Sequence, residues 1–205
     1  MKKIILISLS LMLALTMSAQ EKLSRLTFQP KIGMTISTIT NAGDNNPRIG
    51  MMAGVEIEYD SGTPLGMEFG VHYSMQGDKG YTYYNDGYYI HKATVVEKLD
   101  YINIPILGVL HVTDGLSLKI GVQAGFNVLA RIKASAAGQS AAVGLKKLGV
   151  NTETFDFAVP VGLSYTFKNG LVFEGRYNIG VSEIINKTDM RNGVFQFSIG
   201  YKADI

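Results

Sequence analysis

Apolar and polar residues alternate with a period of two through eight segments of the chain, the spacing expected of strands with one face against an apolar medium. The first carries Phe28, Pro30, Ile32, Met34 and Ile36 opposite Gln29, Lys31, Gly33 and Thr35. The pattern recurs at residues 49–59, 65–75, 116–128, 155–167, 171–179 and 195–205. The remaining segment, residues 102–110, is blurred: Ile102, Ile104, Ile106 and Leu110 share a row, but Leu107 and Val109 fall in the other. It is still expected to be a strand.

The charges respect the pattern. Lys31, Glu56, Glu58, Glu68, Lys119, Arg131, Asp156, Glu174, Arg176, Lys202 and Asp204 all alternate with the apolar row. A charge facing lipid costs about 2–4 kcal/mol at the bilayer midplane, which is the physical reason to segregate them. Volume then orients the rows. The apolar rows hold the rings of Phe28, Tyr59, Phe69, Tyr73, Phe126, Phe155, Phe157, Tyr165, Phe167, Phe173, Tyr177, Phe195, Phe197 and Tyr201, while glycines such as Gly33, Gly54, Gly70, Gly121 and Gly162 lie opposite. An eight-stranded barrel has barely enough interior for its own side chains, so bulk belongs outside and glycine inside. A soluble ligand-carrying barrel would need the reverse.

Connections alternate in length. Asp60-Ser61-Gly62-Thr63-Pro64, Thr113-Asp114-Gly115 and Lys168-Asn169-Gly170 have turn chemistry. Residues 38–48, 77–98, 132–152 and 182–191 make long connections. The expected fold is therefore an all-β, eight-stranded antiparallel up-and-down transmembrane β-barrel, with both termini and the short turns in the periplasm and the long loops outside.

Composition adds an export signal. Lys2 and Lys3 precede a short apolar stretch at residues 4–15, and Thr16-Met17-Ser18-Ala19 places small residues before a cut expected after Ala19. Residues 1–19 are read as a signal peptide and 20–205 as one barrel domain. The stretch is shorter than the about 20 residues a spanning helix needs. Cysteine is absent from the 205 residues and the net charge is only +2. No disulfide or thiolate metal site can form, and no basic field points to nucleic acid. No cofactor is expected.

Within so narrow a lumen the inward polar residues should pair, because an unpaired buried charge is costly. The expected lumen network comprises Lys31, Glu56, Glu58, Glu68, His72, Lys119, Gln123, Arg131, Asp156, Glu174, Arg176 and Lys202. It reads as a polar plug rather than a conducting pore. The three histidines, His72, His91 and His111, have no metal-ligand or protease spacing. Catalytic and metal residues are not expected, although an outer-membrane enzyme with a loop-borne site acting on lipid or peptide is the rival class. Tyr81, Tyr83, Tyr84, Tyr88 and Tyr89 crowd one long connection. They read either as a surface for a glycan or protein or, the favoured reading, as a hairpin carrying two strands beyond the membrane. The residues 134–147 read as a flexible loop or a short helix.

The stretches Ser18-Ala19-Gln20, Pro30-Lys31-Ile32-Gly33-Met34, Leu99-Asp100-Tyr101-Ile102-Asn103-Ile104-Pro105-Ile106-Leu107 and Gly121-Val122-Gln123-Ala124-Gly125 resemble the PorT-like outer-membrane β-barrel family of Bacteroidetes-type bacteria. The resemblance implies an eight-stranded barrel, makes the blurred segment a strand, and brings no catalytic residues. Its name-giving member is associated with type IX protein secretion. The functional expectation is a small integral outer-membrane barrel with a structural, adhesive or secretion-accessory role. Outer-membrane lipid, lipopolysaccharide and secretion or surface-complex proteins are its expected partners.

Overall fold

The computed structural model describes residues 24–40, 46–85, 90–136, 139–148, 153–184 and 189–205. The expected leader lies outside them.

Among the described residues ten strands form, β1 (Arg25–Thr40), β2 (Asn46–Asp60), β3 (Leu65–Asn85), β4 (Ile90–His111), β5 (Leu116–Ala136), β6 (Gln139–Gly144), β7 (Phe155–Thr166), β8 (Leu171–Gly180), β9 (Arg191–Tyr201) and β10 (Ala203–Asp204). Every pairing is antiparallel, and neighbours in the wall follow chain order from β1 to β5, then β7, β8 and β9. Pairing of β9 with β1, from Lys31↔Gly200 to Thr40↔Arg191, closes the ring at eight strands. Closure leaves no open edge in the membrane, where unpaired backbone groups would go unsolvated. β10 continues β9 along the foot of β1, and β6 folds back on the top of β5.

Short turns gather at one end with the start of β1 and the C-terminus, where Ile205 N donates to Leu26 O at 3.0 Å. Gly170 has φ +85°, a left-handed backbone that glycine adopts without strain, so Asn169-Gly170 can close the β7–β8 hairpin tightly. At the other end the wall is uneven. β8 and β9 have 10 and 11 residues, whereas β3, β4 and β5 have 21, 22 and 21. A tilted strand crosses lipid in about 9–11 residues, so the outer halves of the long strands stand clear of it. The long connection at residues 77–98 is mostly an extended hairpin, with β3 running to Asn85 and β4 starting at Ile90. In the stretch 134–147, read as a flexible loop or a short helix, β5 instead continues to Ala136 and β6 returns at Gln139–Gly144, and the only helical part among the described residues is one 3₁₀ turn at Leu145–Leu148.

The apolar row faces out. Phe69, Phe155, Tyr165, Phe173, Phe195, Phe197 and Tyr201 are all exposed, while Glu56, Glu68, His72 and Arg176 are buried. On β7, Phe155 and Tyr165 bracket a lipid-facing band: ten residues at about 3.3 Å and about 40° tilt span about 25 Å along the normal. Rings cluster at both rims, with Phe167 edge-on to Tyr165 (4.9 Å) and to Phe173 (5.7 Å) at one and Phe126 edge-on to Phe155 (5.7 Å) at the other.

The blurred segment is a full strand of the wall. Leu107 and Val109 point into the lumen and are 1 % exposed, beside outward Ile104 and Ile106. They look out of phase in sequence because this stretch of the interior is partly apolar.

Candidate functional site

Six charged side chains from five strands meet in the lumen, nearer the short-turn ends of their strands. Lys31 comes from β1, Glu56 from β2, Glu68 from β3, Lys119 from β5, and Glu174 and Arg176 from β8. Lys119 Nζ donates to Glu68 Oε2 and to Glu174 Oε2, both at 2.6 Å. Arg176 reaches Glu56 (2.9 Å), Glu68 (3.2 Å) and Glu174 (2.5 Å). Lys31 bonds to Glu174 at 3.0 Å and closes the set on Glu56. Three cations thus neutralise three carboxylates, and every member is buried. His72 Nε2 adds a contact to Glu56 Oε1 at 2.8 Å.

Oxygens of Glu56, Glu68 and Glu174 lie within 4.8 Å of one another, a spacing that can hold a metal ion. Here two lysines and an arginine already occupy that role, and each carboxylate is shared between at least two of them. The arrangement joins five strands electrostatically across the lumen.

Other sequence-selected residues sit above and below this layer. At the short-turn end Lys202 Nζ donates to Glu58 Oε2 at 2.8 Å, with His111 3.5 Å from Glu58 and its Nδ1 2.9 Å from Ser117 Oγ. Gln123 is buried on the inward row of β5. Toward the other end Asp156 accepts from Ser182 Oγ (2.6 Å) and Asn192 Nδ2 (3.2 Å), and Asn103 and Gln76 both donate to Ser74 Oγ at 2.7 Å.

Arg131 is not in the lumen. The β4–β5 register shifts between Asp100 and Tyr101, which face Leu129 and Asn127, so Val128 is an extra residue on β5. One inserted residue inverts every later side chain. Arg131 therefore lies exposed on the outer face, opposite Lys98.

At the mouth opposite the short turns, apolar residues that alternation did not single out pack together. Ile39, Leu99, Tyr101, Leu145 and Ile184 form a buried cluster, with Ala130, Ile132 and Met190 packed against it. Leu145 is delivered by the 3₁₀ turn and Ile184 by the β8–β9 connection, anchored where Ile184 N donates to Met190 O at 2.9 Å. Leu99 and Tyr101, both odd positions on β4, extend the inward apolar run of Leu107 and Val109, and that run was the available signal.

The tyrosine-rich stretch forms the top of the β3–β4 hairpin, in register through Tyr81↔Thr94, Tyr83↔Lys92 and Tyr84↔His91. Tyr81 and Tyr83 are exposed, and Lys92 Nζ stands 3.6 Å from the Tyr81 ring centroid. Tyr88 and Tyr89 lie outside the described residues.

A closed eight-strand ring, apolar without and charge-paired within, defines an outer-membrane β-barrel. The chain belongs to the family described as outer membrane protein beta-barrel domain, which matches residues 18–186. Among curated proteins no sequence matches it. Similar solved structures include Ail, the attachment invasion locus protein of Yersinia pestis, at 16% identity, covering 87% of this chain and 99% of that one with a TM-score of 0.48. Neisserial surface protein A is similar at 13% identity, covering 89% and 100%, with a TM-score of 0.49.

Proposed function

We propose that the protein is a non-conducting, non-catalytic barrel that displays its long β3–β4 and β5–β6 hairpins at the cell surface, as an adhesive or accessory element of a surface or secretion complex. The observation that carries the reading is the division of the molecule along its axis. The lumen is filled by the six-charge layer and capped by the Ile39–Leu99–Tyr101–Leu145–Ile184 cluster, which leaves no evident role for transport. The strands that overrun the membrane instead present Tyr81, Tyr83 and Lys92 to the surroundings.

In this reading residues 1–19 are removed on export, and the short turns and both termini face the periplasm. The PorT-like resemblance makes a secretion complex the first partner to look for, and lipopolysaccharide the surrounding lipid.

Replacing residues 80–95 by a two-residue Asn-Gly turn tests the proposal. The shortened barrel should still insert and fold, but should lose the proteins that crosslink to the full chain in native membranes. Retention of the same partners would argue against a display role. Large, steady channels from pure full-length protein in planar bilayers would refute the plug.

A further inference from the structure

Where β3, β4 and β5 overrun the membrane, their basic residues gather on the outward row. Asp78 and Glu97 face each other across β3 and β4 on the inward row. Lys79 and Lys98, one position along, lie on the outward row that continues Ile106, Ile104 and Ile102. The extra residue at Val128 brings Arg131 and Lys133 of β5 onto that same outward row. In register, Lys98 stands directly opposite Arg131, while Lys79 and Lys133 flank Val96 one row further out. Four cations therefore share a patch of about 10 Å by 7 Å, from a strand spacing of about 4.8 Å and a two-residue rise of about 6.6 Å. The carboxylate in the row, Asp100, is buried and engaged by Tyr73 OH (2.7 Å) and by Arg48 (3.5 Å).

Like charges directly opposed on neighbouring strands repel, and such pairs destabilise a sheet unless something lies between them. Here the opposition is flanked by small residues in register, Gly77 beside Lys98, and Gly144 and Ala142 beside Arg131 and Lys133. The patch begins one outward position past Asp100, above the isoleucines and beyond the Phe126–Phe155 rim where the hydrocarbon gives way to headgroups. An arginine and three lysines converging at that height suit phosphate oxygens.

We propose that Lys79, Lys98, Arg131 and Lys133 form a binding site for the headgroup phosphates of a lipopolysaccharide molecule in the outer leaflet, its acyl chains lying along Ile102, Ile104 and Val128. The site rests on the barrel's membrane placement and adds a specific ligand to it. The lipid anion cancels the repulsion built into β4–β5 and fixes the outer sheet against the bilayer.

The test uses full-length protein in nanodiscs and fluorescent bisphosphorylated lipid A. Binding should weaken as salt rises, as expected for an ionic contact. K98Q/R131Q/K133Q should bind at least tenfold more weakly, with K168Q at a short turn unchanged. Replacing Lys98 alone by Gln should weaken lipid A binding yet leave the barrel as stable or more stable in neutral detergent, because it relieves the opposition to Arg131. A loss of stability there would mark these residues as structural and overturn the site. So would equal affinity for dephosphorylated lipid A, equal binding by the triple variant, or complete displacement by millimolar inorganic phosphate. Failure of the wild-type chain to insert, read from circular dichroism and heat-modified gel mobility, would instead refute the membrane placement and this site with it.

Discussion

Gly70 makes room for Glu56: a Cβ on Gly70 would stand 2.7 Å from Glu56 Cγ, and 3.2 Å from His72 Nε2. The two residues face each other across β2 and β3, and Glu56 cannot swing aside without breaking its bonds to Arg176 and Lys31. Gly70→Ala should therefore destabilise the barrel by about 1–3 kcal/mol, the usual cost of overpacking. Urea unfolding in lipid vesicles measures it. Gly175→Ala, on the outer face with 3.8 Å to its nearest neighbour, is the control and should be close to neutral.

Arg176 holds all three carboxylates of the central layer. Arg176→Met should cost about 3–5 kcal/mol, because it strands buried negative charge rather than merely losing a contact. Adding Glu174→Gln removes one stranded carboxylate and should recover a substantial part of the loss. A double-mutant cycle read by equilibrium unfolding checks the coupling; additive costs would mean that the layer does not act as a unit.

Leu145 reaches the cap from outside the wall. Truncation to Ala should loosen the cap locally, since the ring of strands does not pass through this residue. Amide exchange across residues 139–148 should accelerate severalfold, while exchange in β8 and β9 stays unchanged. Bilayer recordings of the variant should remain silent, because the ionic layer still fills the lumen below.

Glu97, outside the lipid-spanning part of β4, has its carboxyl raised above the ordinary range, first by burial and second by Asp78 opposite. A carboxyl raised in the folded state supports folding most when protonated. That contribution is complete below the unfolded value and is lost as pH rises through the folded one. The β3–β4 hairpin should thus be held more firmly in mild acid than at neutral pH. Side-chain NMR titration should place the Glu97 midpoint above that of an exposed glutamate, and Asp78→Asn should lower it.

Strand number, the outward direction of the rings and the inward direction of most charges were legible because each depends only on a residue's own parity and on whether it is apolar. For Lys31, Glu56, Glu68, Lys119, Glu174 and Arg176, alternation gave the facing. It could not give the partners, since the bond of Lys31 to Glu174 spans 143 positions and depends on how the ring closes. Parity failed at Arg131, where a single extra residue, Val128, inverts everything beyond it. Such an insertion leaves no mark in an alternation that simply runs on.

Sequence by itself determined an eight-segment wall with an apolar exterior, because the strand period of two forces each residue to one side or the other. Tertiary structure alone decided the rest: which charges meet in the lumen, how Leu145 and Ile184 come to lie at the mouth, and why four cations stand together above the isoleucine row. Those depend on register and curvature, which arise only when strands distant in the chain are bonded side by side.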